Sequence, residues 1–64
     1  MFKRYRLQKN FTQEKLADLT GLDTRTIQRI ENNERKPSLE SLAKLIKALD
    51  IKDKDIIKYI KDQK

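Results

Sequence analysis

Apolar residues recur along this chain at helical spacing, in five short stretches separated by polar breaks. Phe2 and Tyr5 share one face of a first segment, Phe2 to Lys9, with Leu7 as a third apolar position, and Asn10 breaks the pattern. Thr12 is placed to cap a second helix, about Gln13 to Thr20, that buries Leu16, Ala17 and Leu19. Glu14 sits in its positive first turn. Lys15 stands where a Glu or Gln would complete a capping box. Gly21 falls where the helix must stop and turn sharply, which a left-handed residue permits. Leu22 follows as an apolar anchor. Asp23 caps a third helix, Thr24 to Asn32, with Asn33 as its left-handed stop. Glu34-Arg35-Lys36-Pro37 reads as an exposed connection. Ser38 caps a fourth helix, in which Leu39, Leu42, Ala43, Ile46 and Leu49 follow at helical spacing with Leu45 beside them. After a break at Asp50 to Asp53, a last helix carries Ile56, Ile57, Tyr59 and Ile60. The pattern predicts an all-α fold of five helices with short connections, one domain over residues 1–64.

Composition narrows what such a bundle can do. A chain of 64 residues buries only about 60% of the surface its unfolded form exposes. It has no cysteine and no histidine, so disulfides are excluded and the usual zinc ligand sets cannot be assembled. With no Gly-rich phosphate loop either, no catalytic constellation survives, and Asp53, Asp55 and Asp62 read as surface charges. No enzyme, cofactor or metal is expected. The net charge of +6 points to an anionic partner, nucleic acid more often than a membrane surface. No apolar run approaches the roughly 20 residues of a membrane span, and Met1-Phe2-Lys3-Arg4 lacks the apolar stretch of a signal peptide. A cytoplasmic location is the expectation. Lys44, Lys47, Lys58, Lys61 and Lys64 read as solubility residues, and the Lys-Asp alternation of Lys52 to Asp55 as a solvated helix start. Phe2 and Tyr5 read as core residues rather than base-stacking ones.

The third helix carries the candidate chemistry. At about 100° per residue, Thr24, Gln28, Asn32, Arg25 and Arg29 share an arc of about 140° with no carboxylate among them. Thr26, Ile30, Ile27 and Glu31 take the rest of the circumference. Arginine presents a donor fork that matches guanine O6 and N7, glutamine pairs with adenine N6 and N7, and threonine reaches a base or a thymine methyl. Any surface helix has a polar face, so the arc alone favours plain solvation. The turn in front of it shifts the balance: a helix, a Gly-Leu-Asp turn and a basic helix make the helix-turn-helix layout. Leu16, Leu22, Ile27 and Ile30 would lock the two helices together.

Gln13-Glu14-Lys15-Leu16-Ala17, Gly21-Leu22, Thr26-Ile27, Arg29-Ile30-Glu31-Asn32 and Pro37-Ser38-Leu39 stand in an order and spacing that resembles the lambda-repressor-like, Cro/C1-type (XRE) helix-turn-helix family. The resemblance runs from about Phe2 to Ile57. It implies a compact five-helix DNA-binding domain. Thr24, Arg25, Gln28 and Arg29 match the family's base-facing positions. Gln13 matches a glutamine that bonds a phosphate from the start of the second helix, Asn32 an asparagine near the sugar-phosphate backbone, and Arg35 and Lys36 a basic loop along the phosphates. Arg6 matches an arginine that pairs, as scaffold, with the glutamate at Glu31. Asn33 departs from the common glycine, and the first helix lacks an extra turn, so no DNA-wrapping arm is expected.

By the same resemblance the C-terminal helix dimerises. Of Ile57, Tyr59 and Ile60, one would complete the monomer core and the others form a dimer seam. The expected function is a sequence-specific transcriptional regulator, a repressor that binds a near-palindromic double-stranded operator as a homodimer. The alternatives are an antitoxin, a restriction controller or the DNA-binding part of a larger regulator of the same fold, a protein-interaction module that binds no DNA, and a non-specific basic bundle that coats nucleic acid.

Overall fold

The computed structural model describes residues 1–62; Lys64 lies outside the described residues. Five helices follow in order: α1 (Phe2–Gln8), α2 (Gln13–Thr20), α3 (Thr24–Glu31), α4 (Leu39–Leu49) and α5 (Asp53–Asp62). Three of them start on side-chain caps. The Thr12 hydroxyl accepts from the Lys15 N–H at 3.0 Å, the Asp23 carboxylate from Thr26 N–H at 2.7 Å, and the Ser38 hydroxyl from Ser41 N–H at 3.1 Å. Each takes up a donor that the first helical turn leaves without an intrahelical partner.

Every connection between helices turns on one left-handed residue: Asn10 (φ 59°), Gly21 (φ 74°), Asn33 (φ 60°) and Asp50 (φ 54°). Apart from the glycine, these are the side-chain types that tolerate that region best. Three of the four turns close alike, by an N–H reaching back five residues. Phe11 N–H donates to the Arg6 carbonyl at 3.1 Å, Glu34 N–H to Arg29 at 2.9 Å, and Ile51 N–H to Ile46 at 3.2 Å. This is the Schellman arrangement, which satisfies carbonyls a helix end leaves open. At Gly21 the Thr20 hydroxyl serves instead, donating to the Leu16 carbonyl at 2.8 Å and accepting from Leu22 N–H at 3.3 Å.

Phe2, Tyr5, Leu16, Ala17, Ile27, Ile30, Leu45, Leu49 and Ile51 form the buried core. Around it, α2 packs on α3 and α4, and α1 on α4 and α3. The last helix is fastened to the first. Tyr59 packs edge-on against Phe2 with ring centroids 5.3 Å apart. The Tyr5 hydroxyl donates to the Asp55 carboxylate and accepts from Lys52 N–H at 3.2 Å. Asp55 is therefore a tether between α1 and α5 rather than a plain surface charge, and Arg4 lies 3.7 Å from it. Asp53 and Asp62 are exposed.

The core differs from the periodic reading at six positions. Leu7 and Leu19 are exposed. α1 turns only Phe2, Tyr5 and Arg6 inward, and on α2 the inward place one turn beyond Leu16 belongs to Thr20, not Leu19. Leu39 is 84% exposed, because it opens α4 ahead of the turns that meet the other helices. Ala43 is exposed as well, and Leu45 lies at the centre of the buried stripe rather than at its edge. Ile51, from the predicted break, is buried: the Schellman turn folds it back over Ile46, where an apolar side chain belongs.

Candidate nucleic-acid interface

Two short capped helices set the geometry. Ile27 and Ile30 anchor α3 in the core, which leaves Arg25, Gln28, Arg29 and Asn32 exposed and Thr24 partly so. The three-residue turn from Gly21 fixes the approach of α3 to α2. Thr24, Arg25, Gln28 and Arg29 thus lie on one outward face, as their angular positions require. Gln13 lies at the N-terminus of α2, one hydrogen bond away from that face: Gln28 Nε2–H donates to Gln13 Oε1 at 3.3 Å.

Behind the face stands a buried ion pair. Arg6 donates from Nε to Glu31 Oε2 at 2.6 Å and from the terminal guanidinium nitrogen Nη2 to Oε1 at 3.1 Å. Its Nη1 donates to the Phe11 carbonyl at 2.8 Å. The Glu31 side chain is 2% exposed and that of Arg6 9%. Bidentate geometry of this kind meets the desolvation cost of two buried charges. No buried side-chain nitrogen or oxygen is left without a partner among the described residues. Gln13 joins the pair, with Nε2–H donating to Glu31 Oε1 at 3.1 Å. The pair therefore ties α1, α3 and the loop before α2 together beneath the outward arc.

Asn32 caps α3 and its side-chain amide donates to Glu34 at 3.3 Å. Arg35 and Lys36 are exposed in the α3–α4 connection. Among the described residues the salt bridges are Arg4–Asp55, Arg6–Glu31 and Lys44–Glu40. None of them holds Arg25, Arg29, Arg35 or Lys36, so these four cations of α3 and the connection after it stand outside any salt bridge. The Asp23 carboxyl is held below its usual range, first by the Thr26 N–H it caps and then by the nearby charges of Arg35 and Arg25. That carboxylate acts as an ionised cap, and its charge offsets part of the field of Arg25 and Arg35 beside it.

Of the three C-terminal residues, Tyr59 is half-buried against Phe2, which makes it the one that joins the monomer core. Its hydroxyl pKa is raised by that burial. Ile57 and Ile60 are 53% and 56% exposed. Among the described residues there is no cluster of acidic side chains suited to a metal ion, and no helix is long and apolar enough to cross a membrane.

Sequence reasoning found the residues of the arc and the Arg6–Glu31 pair. It did not find the amide links from Glu31 through Gln13 to Gln28, which join positions 15 and 18 residues apart on different helices. No periodic signal reports such contacts.

A family model described as helix-turn-helix matches residues 2–56 of the chain. The chain is 39% identical over 61 residues to an uncharacterised HTH-type transcriptional regulator of Methanocaldococcus jannaschii, covering 95% of this chain and 92% of that protein. Among solved structures, a point mutant of the restriction-modification controller protein C.Esp1396I superposes with a TM-score of 0.77 at 36% identity, covering 91% of this chain and 75% of the other.

Proposed function

The chain belongs to the Cro/C1-type helix-turn-helix family of transcription regulators, and on that footing we propose that it binds an operator in double-stranded DNA and represses by occluding a promoter. The observation that carries the reading is the outward face of α3: Arg25, Gln28 and Arg29 exposed, without carboxylate or salt bridge, over a locked scaffold. Thr24, Arg25, Gln28 and Arg29 read base edges in the major groove. Gln13, Asn32, Arg35 and Lys36 hold the sugar-phosphate backbone, Gln13 from a helix N-terminus whose amides favour an anion. Arg6 and Glu31 keep α3 at the angle this needs.

Two copies would place two recognition helices about 34 Å apart on a near-palindromic site. Exposed Ile57 and Ile60 on α5 supply the apolar surface for such a pairing. The protein acts without catalysis or cofactor. One specific observation favours a second reading: the likeness to a restriction-modification controller is compatible with control of a restriction system by the same DNA-reading surface. Selection of bound duplexes from a random-sequence pool tests the proposal. It should return two related half-sites with centres about 10–10.5 base pairs apart. A pool that emerges unenriched refutes sequence-specific binding, and with it both readings.

A further inference from the structure

We infer that Gln13 is a specificity-determining positioning residue, which fixes the amide polarity of Gln28 so that Gln28 selects adenine over guanine at one base pair. The inference rests on the duplex-reading role proposed above and names what one reader prefers. Its origin is the buried carboxylate of Glu31, 2% exposed and already bonded twice by Arg6. An ionised carboxylate only accepts. The Gln13 atom 3.1 Å from Glu31 Oε1 must therefore be the amide nitrogen. Its oxygen then faces the other way, 3.3 Å from the side-chain amide of Gln28. An amide oxygen also only accepts, so Gln28 must present its nitrogen. One buried charge thus sets the direction of both amides.

What remains at Gln28 is an oxygen acceptor and one N–H. Adenine offers N6–H and N7 in the major groove, a donor beside an acceptor, and both bonds form. Guanine offers O6 and N7, two acceptors, and Gln28 has a single uncommitted N–H for them. Rotating the amide to change this would set the oxygens of Gln28 and Gln13 against each other. Gln13 keeps one N–H for a phosphate, so its backbone-holding and positioning roles are separable.

Gln13→Lys separates them. Its ammonium donates to Glu31 and to phosphate but has no lone pair for Gln28. The position read by Gln28 is the one whose preference vanishes in Gln28→Ala, and there the wild-type chain should favour adenine over guanine by roughly 5- to 150-fold. Freed from the Gln13 acceptor, Gln28 can turn both N–H groups to guanine, so Gln13→Lys should lower that ratio several-fold while keeping or raising overall affinity, as an added cation does. Gln13→Met, which removes both links, should also lower the ratio and weaken all duplexes. A ratio left unchanged by both variants, with duplex enrichment intact, overturns the assignment to Gln13 alone. Absence of enrichment by the wild-type chain overturns the duplex-reading role itself. A readout without DNA stands beside these: the side-chain amide protons of Gln28 should shift toward those of a solvated glutamine in Gln13→Lys, and an unmoved pair of resonances overturns the link.

Discussion

At the scale of the residue, the buried Arg6–Glu31 pair decides most. Each partner is costly inside the protein without the other. Arg6→Met should lose about 3–5 kcal/mol, because it leaves Glu31 charged and buried, and urea denaturation would register this as a collapse of the folded baseline. Arg6→Met combined with Glu31→Met should recover most of the loss, since matched apolar groups leave nothing unsatisfied. A single variant within 1 kcal/mol of wild type, on the order of a surface pair, would contradict the buried geometry. Asp55 makes a second test. Its carboxyl is held below its ordinary range, chiefly by the hydrogen bond from Tyr5, with Arg4 adding to it. A depressed folded pKa contributes stability that is complete above the ordinary carboxylate range near 4 and is lost as pH falls through the lower folded value. Asp55→Asn should therefore unfold at lower urea at pH 7 and show a flatter acid dependence below about pH 4. Equal acid slopes in variant and wild type would remove the tether between α1 and α5.

At the scale of the element, four left-handed joints hold five short helices in place. A Cβ on Gly21 would meet nothing within 4 Å, so Gly21→Ala should cost only the backbone term of about 1–2 kcal/mol. Asp50 carries the opposite expectation: its negative charge sits at the negative end of α4, at φ 54°. Asp50→Gly relieves both conflicts and should raise stability by up to about 1 kcal/mol, or roughly 4–8 °C in melting temperature. A fall in melting temperature would mean that Asp50 holds a contact worth more than its strain.

These caps and joints were legible because their signals are local: Thr12, Asp23, Ser38, Gly21 and Asn33 each act within a few residues. Burial was less so. Leu7, Leu19 and Leu39 satisfy a helical period, but periodicity names a face and not whether a neighbour reaches it. Ile51 lies outside any period and is buried by the turn that precedes it. Asp55 finds its partner Tyr5 across 50 residues, and the Gln13 links likewise depend on how helices meet. The arc on α3 could be drawn from spacing alone, whereas its fixed amides needed the fold.

At the scale of the whole molecule, charge and one apolar strip remain to be matched to partners. Sixteen basic against ten acidic residues give a field that should make any duplex binding strongly salt-dependent. Ile57 and Ile60 face solvent on α5, so Ile57→Lys with Ile60→Lys should lower the mass observed by sedimentation to that of a monomer and remove any dependence of the melting temperature on protein concentration. A wild-type chain that sediments as a monomer with and without operator would remove the dimer from the proposal. The central claim, that α3 reads a duplex while the following loop grips it, is tested most directly by titrating Arg29→Ala and Lys36→Ala against selected and scrambled duplexes over a salt series. Arg29→Ala should lose about 1–3 kcal/mol on the selected site and relax preference at one base pair, while Lys36→Ala weakens all duplexes alike and flattens the salt slope by about one. Unchanged affinity in both variants would contradict the account.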